Sequence, residues 1–117
     1  MSVPILKQGD ILIASIQAAL SDRDLVELRD ELADRVGRLR SRGVVIDVTA
    51  LDVLDSFATR TIRGIAYTAK LRGANTVVVG IQPEVAFAMV QLGLSLDGIA
   101  TALDLEEGML LLQRPAK

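Results

Sequence analysis

The chain has 117 residues, one domain by length, 1–117, and large enough to bury a core without staples. It contains no cysteine and no histidine. That excludes disulfides, thiolate chemistry, Cys or His metal sites and the usual Ser-His triad. The formal net charge is −2 with no Lys/Arg block, so no electrostatic footprint for nucleic acid is present.

Half the residues are hydrophobic but only 3% are aromatic, so the core must be built from Val, Ile, Leu and Ala. No apolar run approaches the roughly 20 residues of a membrane span. Met1 to Pro4 lacks the basic start of a signal peptide. A cytoplasmic protein is therefore expected, without a membrane partner.

In chain order, Ile5-Leu6-Lys7 and Ile11 to Ile16 read as strands, with Gly9-Asp10 as the hairpin turn between them. Ser21 starts a helix, and Asp24 three residues on makes a capping-box variant. Leu25, Leu28, Leu32, Val36 and Leu39 form one apolar face. Glu31–Arg35 and Asp34–Arg38 are i,i+4 pairs on the wet side, and Gly43 is expected to stop the helix.

Val44 to Val48 is an unbroken β-branched run that suits a central strand covered on both faces. Ser56 to Arg72 is a second helix, ended by Gly73. Thr76 to Val79 is a strand closed by Gly80. Pro83 suits the first position of a helix over Glu84 to Leu92. Ile99 to Leu103 is a short strand, and Asp104 caps a last helix through Leu112. Pro115 and the tail add no element. The order β-β-α-β-α-β-α-β-α implies an α/β fold: a mixed, mainly parallel sheet of about five strands with an N-terminal hairpin and four helices.

The residues of most interest lie where the central strand hands over to the second helix. Ser56 is a hydroxyl near the positive end of a helix dipole, where anionic groups are favoured. As a preferred capping residue it also fits a plain N-cap role, worth about 1 kcal/mol. Leu54 and Phe57 flank the Asp55-Ser56 pair as an apolar frame that is expected to be exposed. Helical spacing sets Ser56, Arg60, Arg63, Tyr67 and Lys70 on one polar stripe. Ala58, Ile62, Ile65, Ala66 and Ala69 form the opposite, sheet-facing side.

Phosphorylation at Ser56 would add roughly −1.5 to −2 charges. Arg60 would favour that charge, and Asp47, Asp52 and Asp55 would oppose it if they gather at the same edge. Those three acids are better read as turn and cap residues than as a Mg²⁺ site. Glu84 to Leu96 carries one charge, so its helix is either buried on two sides under the C-terminal helix or lies at an interface through Phe87, Met89 or Val90. Neither nucleotide-binding glycine motif is present.

Several blocks together resemble the STAS domains of bacterial anti-sigma-factor antagonists, narrowing to stressosome scaffolds of the RsbS type. They are Ile5-Leu6-Lys7, Ser15-Ile16-Gln17, Gly43 to Thr49, Asp55-Ser56-Phe57, Gly80 to Pro83 and Thr101 to Glu106. The resemblance implies a non-enzymatic scaffold with no cofactor and no metal. It would assemble with RsbR-type proteins, self-associate as a dimer or homo-oligomer, and hold an RsbT-type serine kinase.

By the same resemblance the kinase would phosphorylate Ser56, next to the acid Asp55, and a phosphatase of the RsbX type would reset the site. Phe57, Thr59, Arg60, Arg63 and Tyr67 are the expected partner contacts. Thr59 and Thr76 are further hydroxyls but not expected main sites. The competing readings are a simple soluble anti-anti-sigma factor that binds one anti-sigma kinase and, with little support, a Mg²⁺-dependent enzyme using Asp47 and Asp55.

Overall fold

The computed structural model describes residues 3–17 and 20–113. Pro115 and the tail, with Met1 and Ser2, lie outside the described residues. Two runs pair as an antiparallel hairpin, β1 (Ile5–Gln8) and β2 (Ile11–Ser15), around a turn in which Gly9 takes φ +61°. α1 (Asp22–Leu39) follows, then β3 (Gly43–Asp47), α2 (Ser56–Leu71), β4 (Asn75–Val79), α3 (Pro83–Gln91), β5 (Ala100–Ala102) and α4 (Leu105–Gln113). The sheet order is β1-β2-β3-β4-β5, and every pair after the hairpin is parallel. This is the mixed, mainly parallel five-strand sheet with four helices that the chain order implies.

Alternation along each strand sorts the side chains into two cores. Leu12, Ala14, Val44, Ile46 and Val78 face the layer of α1, α2 and α3. Ile11, Ile13, Val45, Val77 and Val79 face α4. Val44, Val45 and Ile46 are each 0% exposed, as a central strand between two layers requires. α1 presents Leu25, Leu28, Leu32 and Val36 to the first core. α2 presents Ala58, Ile62, Ile65 and Ala69, with Ala66 half-buried.

Local signals set most element ends. Ser21 and Asp24 form the full capping box, each side chain taking the other's backbone N–H at 3.1 Å. Arg35 reaches Glu31 at 2.8 Å and Arg38 reaches Asp34 at 3.1 Å. Asp104 caps α4 by accepting from the Glu107 N–H at 2.9 Å.

Three expectations need correction. Gly43 does not stop α1. Arg40 does, in the left-handed conformation at φ 52°, and Gly43 already belongs to β3. β5 is shorter than Ile99–Leu103, because its ladder with β4 spans only Ala100 to Ala102 and Leu103 is 82% exposed. α3 is not buried under α4, which packs on the other face of the sheet. α3 buries only Val85 and Met89, so Met89 contributes nothing to the surface, while Phe87 and Val90 stand 72% and 78% exposed.

Gly108 lets α4 lie flush on the sheet. A Cβ there would meet the Val79 side chain at 2.6 Å and that of Val77 at 3.3 Å. Gly108→Val should therefore push α4 off β4. The expected loss is about 2 kcal/mol, in the range for overpacked cores, read as a lower urea midpoint with an unchanged slope.

Candidate functional site

Because β2, β3 and β4 run parallel, their C-terminal ends and the loops that follow open on one edge of the sheet. The β3–α2 loop is clamped there. The Val48 N–H donates to the Val79 carbonyl at 3.0 Å. The Asp47 carboxylate accepts from both the backbone N–H and the hydroxyl of Thr49, at 2.9 and 2.6 Å. Gln82 Nε2 donates to the Thr49 carbonyl at 2.7 Å. Gly80, at φ +81°, lies so close under Thr49 that any Cβ would overlap its side chain. Two neighbouring loops are thus held as one piece.

That piece delivers the start of α2. Asp55, not Ser56, is the N-cap: its backbone is extended, at φ −77° and ψ 179°, and its carboxylate accepts from the Ala58 N–H at 2.8 Å. Ser56 is the first helical residue. It is exposed, and its hydroxyl makes no hydrogen bond among the described residues. The plain N-cap reading of Ser56 therefore fails. Asp and Ser are both good caps, and the acid one residue earlier takes the role. The N–H groups of Ser56 and Phe57 have no acceptor among the described residues, so two free donors and the positive helix end flank the hydroxyl.

The stripe expected along α2 is present: Ser56, Arg60, Arg63, Tyr67 and Lys70 are all exposed. Arg60 has no ion pair among the described residues. Arg63 also serves the fold, since its guanidinium donates to the Ser95 carbonyl in the α3–β5 connection at 3.2 Å. Two residues of the expected surface are inside instead. Thr59 is 1% exposed with its Oγ1 buried and unpartnered, so it offers a partner nothing. Leu54 is 4% exposed, and Phe57 is half-buried against the same core. Thr76 is also buried, at 8%. Among the described hydroxyls in question, Ser56 alone is open to an incoming enzyme.

The acids do not converge. Asp47 is committed to Thr49 and Asp55 to its cap, while Asp52 is exposed. No group of three or more His, Cys, Asp or Glu among the described residues could hold a metal ion. Sequence reasoning missed a feature beside Ser56. A hollow of about 210 Å³ opens between α1 and α2, lined by Ile16, Leu20, Leu25, Leu51 and Val53, with Asp22 and Asp55 also on its wall. Val53, at 71% exposed, supplies the apolar surface that was expected of Leu54. An irregular loop has no period from which to tell the two apart.

A mixed five-strand sheet opened by an antiparallel hairpin, with four helices over its two faces, is the α/β fold of a STAS domain. The chain belongs to the STAS-domain family, whose model matches residues 2–108. It is similar to a solved serine-to-glutamate variant of RsbS from Moorella thermoacetica, with 39% identity and a TM-score of 0.82 over 95% of this chain and 94% of that one. It is equally similar, at 39% identity and TM-score 0.80, to a chain in the solved molecular architecture of the stressosome, a signal integration and transduction hub, covering 94% of this chain and 96% of that one.

Among curated proteins it is 26% identical to the RsbT co-antagonist protein RsbRA of Bacillus subtilis strain 168 over 110 residues. That match covers 93% of this chain but only 40% of the relative. No described helix is long and apolar enough to cross a membrane.

The cap and the acceptor are separable. Asp55→Ala should cost about 1 kcal/mol, the usual value for a lost N-cap, whereas Asp55→Asn should recover most of it. Ser56→Ala should leave the unfolding free energy from urea titration within about 0.5 kcal/mol of the parent, as for an unpartnered surface group.

Proposed function

We propose that this protein is a non-enzymatic stressosome scaffold and kinase antagonist that is switched by phosphorylation of Ser56. In its unmodified form it sequesters a serine kinase of the RsbT type within an assembly shared with RsbR-type proteins. Phosphorylation releases the kinase, an RsbX-type phosphatase resets the site, and the cycle controls a stress response in the cytoplasm. The observation that carries this reading is the Ser56 hydroxyl, which is exposed and unpartnered at a helix start whose cap is already filled by Asp55.

The chemistry supports a switch without refolding. A phosphoryl group on Ser56 brings roughly −1.5 to −2 charges and three strong acceptors. The free N–H groups of Ser56 and Phe57 and the Arg60 guanidinium one turn on are suited to receive it. The clamped loop and the buried Leu54, Ala58 and Thr59 keep the backbone in place. What changes is the surface a partner meets: a neutral hydroxyl beside an apolar hollow becomes a dense anion. The hollow, with Val53 on its wall, suits an apolar side chain of the kinase. Arg60, Arg63 and Tyr67 extend the contact, and Phe57 backs it from its half-buried position.

Self-association is supported by α3. Phe87 and Val90 are 72% and 78% exposed in a helix whose one charge is Glu84, and Leu92, at its C-cap, is 70% exposed. Single exposed apolar residues are ordinary, but several on one short helix favour association.

Incubation with a cognate RsbT-type kinase and ATP, followed by mass spectrometry, should place one phosphate on Ser56 and none on Thr59 or Thr76 in the native protein. Ser56→Ala should still capture the kinase and lose the release step. Equal kinase affinity before and after stoichiometric phosphorylation would refute the switch. For assembly, analytical ultracentrifugation with an RsbR-type partner should show a megadalton-scale species, and Phe87→Glu with Val90→Glu should reduce it while the melting temperature holds. A small heterodimer with a single kinase, and no large species, would instead indicate a simple anti-anti-sigma factor.

A further inference from the structure

We infer that the hairpin edge of the sheet is a contact between two copies of this chain, which join β1 to β1 as antiparallel strands across a twofold axis. This surface is separate from the Ser56 reading and from the α3 surface, and it depends on neither. β1 is an edge strand: β2 pairs with one side of it, and no described strand pairs with the other. An open edge presents unpaired N–H and C=O groups that another strand can take. A twofold axis makes the same patch serve both copies, so the strand must complement itself.

The ladder pattern says which backbone groups are open. The Ile16 N–H donates to the Asp47 carbonyl of β3. In β2, therefore, Leu12 and Ala14 turn their backbone groups to β3, while Ile11 and Ile13 turn theirs to β1. Ile11 and Ile13 stand opposite Gln8 and Leu6. Leu6 and Gln8 thus bond to β2, and the N–H and C=O groups of Ile5 and Lys7 point away from the sheet. The Ile5 carbonyl accepts there from the Arg35 guanidinium of α1, at a long 3.4 Å that a strand N–H would improve on. Pro4 has the same parity as Leu6, so its missing N–H falls on the β2 side and costs the open edge no donor.

One register uses all of these groups. With Leu6 opposite Leu6 of the second copy, Ile5 of each chain faces Lys7 of the other, and the two pairs exchange hydrogen bonds in both directions. A shift by two residues sets Lys7 against Lys7, where like charges repel, or moves Lys7 opposite Val3, outside the strand. Leu6, 64% exposed, then covers its twin in a close, non-hydrogen-bonded pair. Charge agrees with this register. Ile5 and Lys7 pair with Ala14 and Leu12 of the α1-side core, so they lie on the α1 face. Ile5 lines a hollow of about 310 Å³ there, whose wall carries Asp24, Glu27 and Glu31 against Arg35. Arg35 holds Glu31 at 2.8 Å and Arg23 holds Glu27 at 3.4 Å, yet the wall itself remains net acidic. Lys7 is exposed and has no ion pair among the described residues. The twofold register brings Lys7 of each copy to the acidic wall of the other.

The test is cross-linking and sedimentation equilibrium of the full chain. The chain has no cysteine, so Leu6→Cys introduces a single thiol. With oxidised glutathione it is expected to give a disulfide dimer, because a non-hydrogen-bonded pair holds its Cα atoms about 4.5 Å apart, within the span of a disulfide. Val53→Cys, at a position 71% exposed, is expected to stay monomeric. In sedimentation the parent should dimerise, and Lys7→Glu should weaken the dimer about tenfold, since the axis loses two charge pairs at once. Adding Glu27→Lys should recover it. Lys7→Pro removes an outward N–H without touching the β2 ladder, so it should abolish the dimer and leave the far-UV circular dichroism unchanged. Phe87→Glu with Val90→Glu should leave this dimer intact. A parent chain that is monomeric at millimolar concentration, equal cross-linking at Leu6 and Val53, or a dimer indifferent to both Lys7 variants would overturn the assignment.

Discussion

The parallel ladder through β3 is the constraint from which the rest follows. Val44, Val45 and Ile46 are sealed on both faces, so the strand has one register and one direction with β2 and β4. A one-residue slip would exchange the set facing α1 and α2 for the set facing α4, and the two are unlike in bulk and depth. Fixing the register fixes where each strand ends. Val48 then bonds to Val79, Thr49 settles over Gly80, and the loop leaving β3 has one path to α2. The position of Ser56 is in this sense a property of the core.

Competition between two adjacent residues for one role completes the site. A helix start needs one side-chain acceptor for its orphan N–H groups, and the sequence Asp55-Ser56 offers two. The carboxylate takes the Ala58 N–H because its backbone is the extended one. The hydroxyl is left outside, with two unused donors nearby. Reversing the assignment would tie the serine oxygen to the backbone and leave the acid exposed, which is a worse phosphoacceptor and a more negative approach.

The regular elements were legible because their signals are local. α1 shows its heptad-like leucines and a capping box that forms as written, and β3 shows an unbroken β-branched run. The polar stripe of α2 follows from its period alone. What could not be read depends on neighbours distant in sequence. No residue type near Arg40 signals a left-handed conformation, and the backbone bonds that close the turn, from Arg40 and Ser41 back to Gly37 and Val36, are open to any sequence. Leu54 and Val53 are equivalent in a loop without period, and contact with α1 decides which goes inside. Thr59 seemed close to Ser56, yet three residues at about 100° each carry it off the wet stripe and one helical turn from Ile62, where it is buried. The end of β5 likewise has no local signal: its ladder with β4 runs only from Ala100 to Ala102.

Distance divides the surface between tasks. Charges exposed to solvent are screened over about 8 Å at physiological ionic strength. A dianion at Ser56 would act strongly on a partner touching Val53, Asp55 or Arg60 and weakly on anything much farther away. Val90 lies seven residues into α3, on the order of 10 Å along its axis. A partner held by Val90, toward the far end of α3, would feel the charge state of the serine less than one held where α2 begins. On the proposed reading, such a domain remains in an assembly through α3 while it gains and loses a partner at the edge where α2 begins, because a charge added at Ser56 acts most on the partner that touches it.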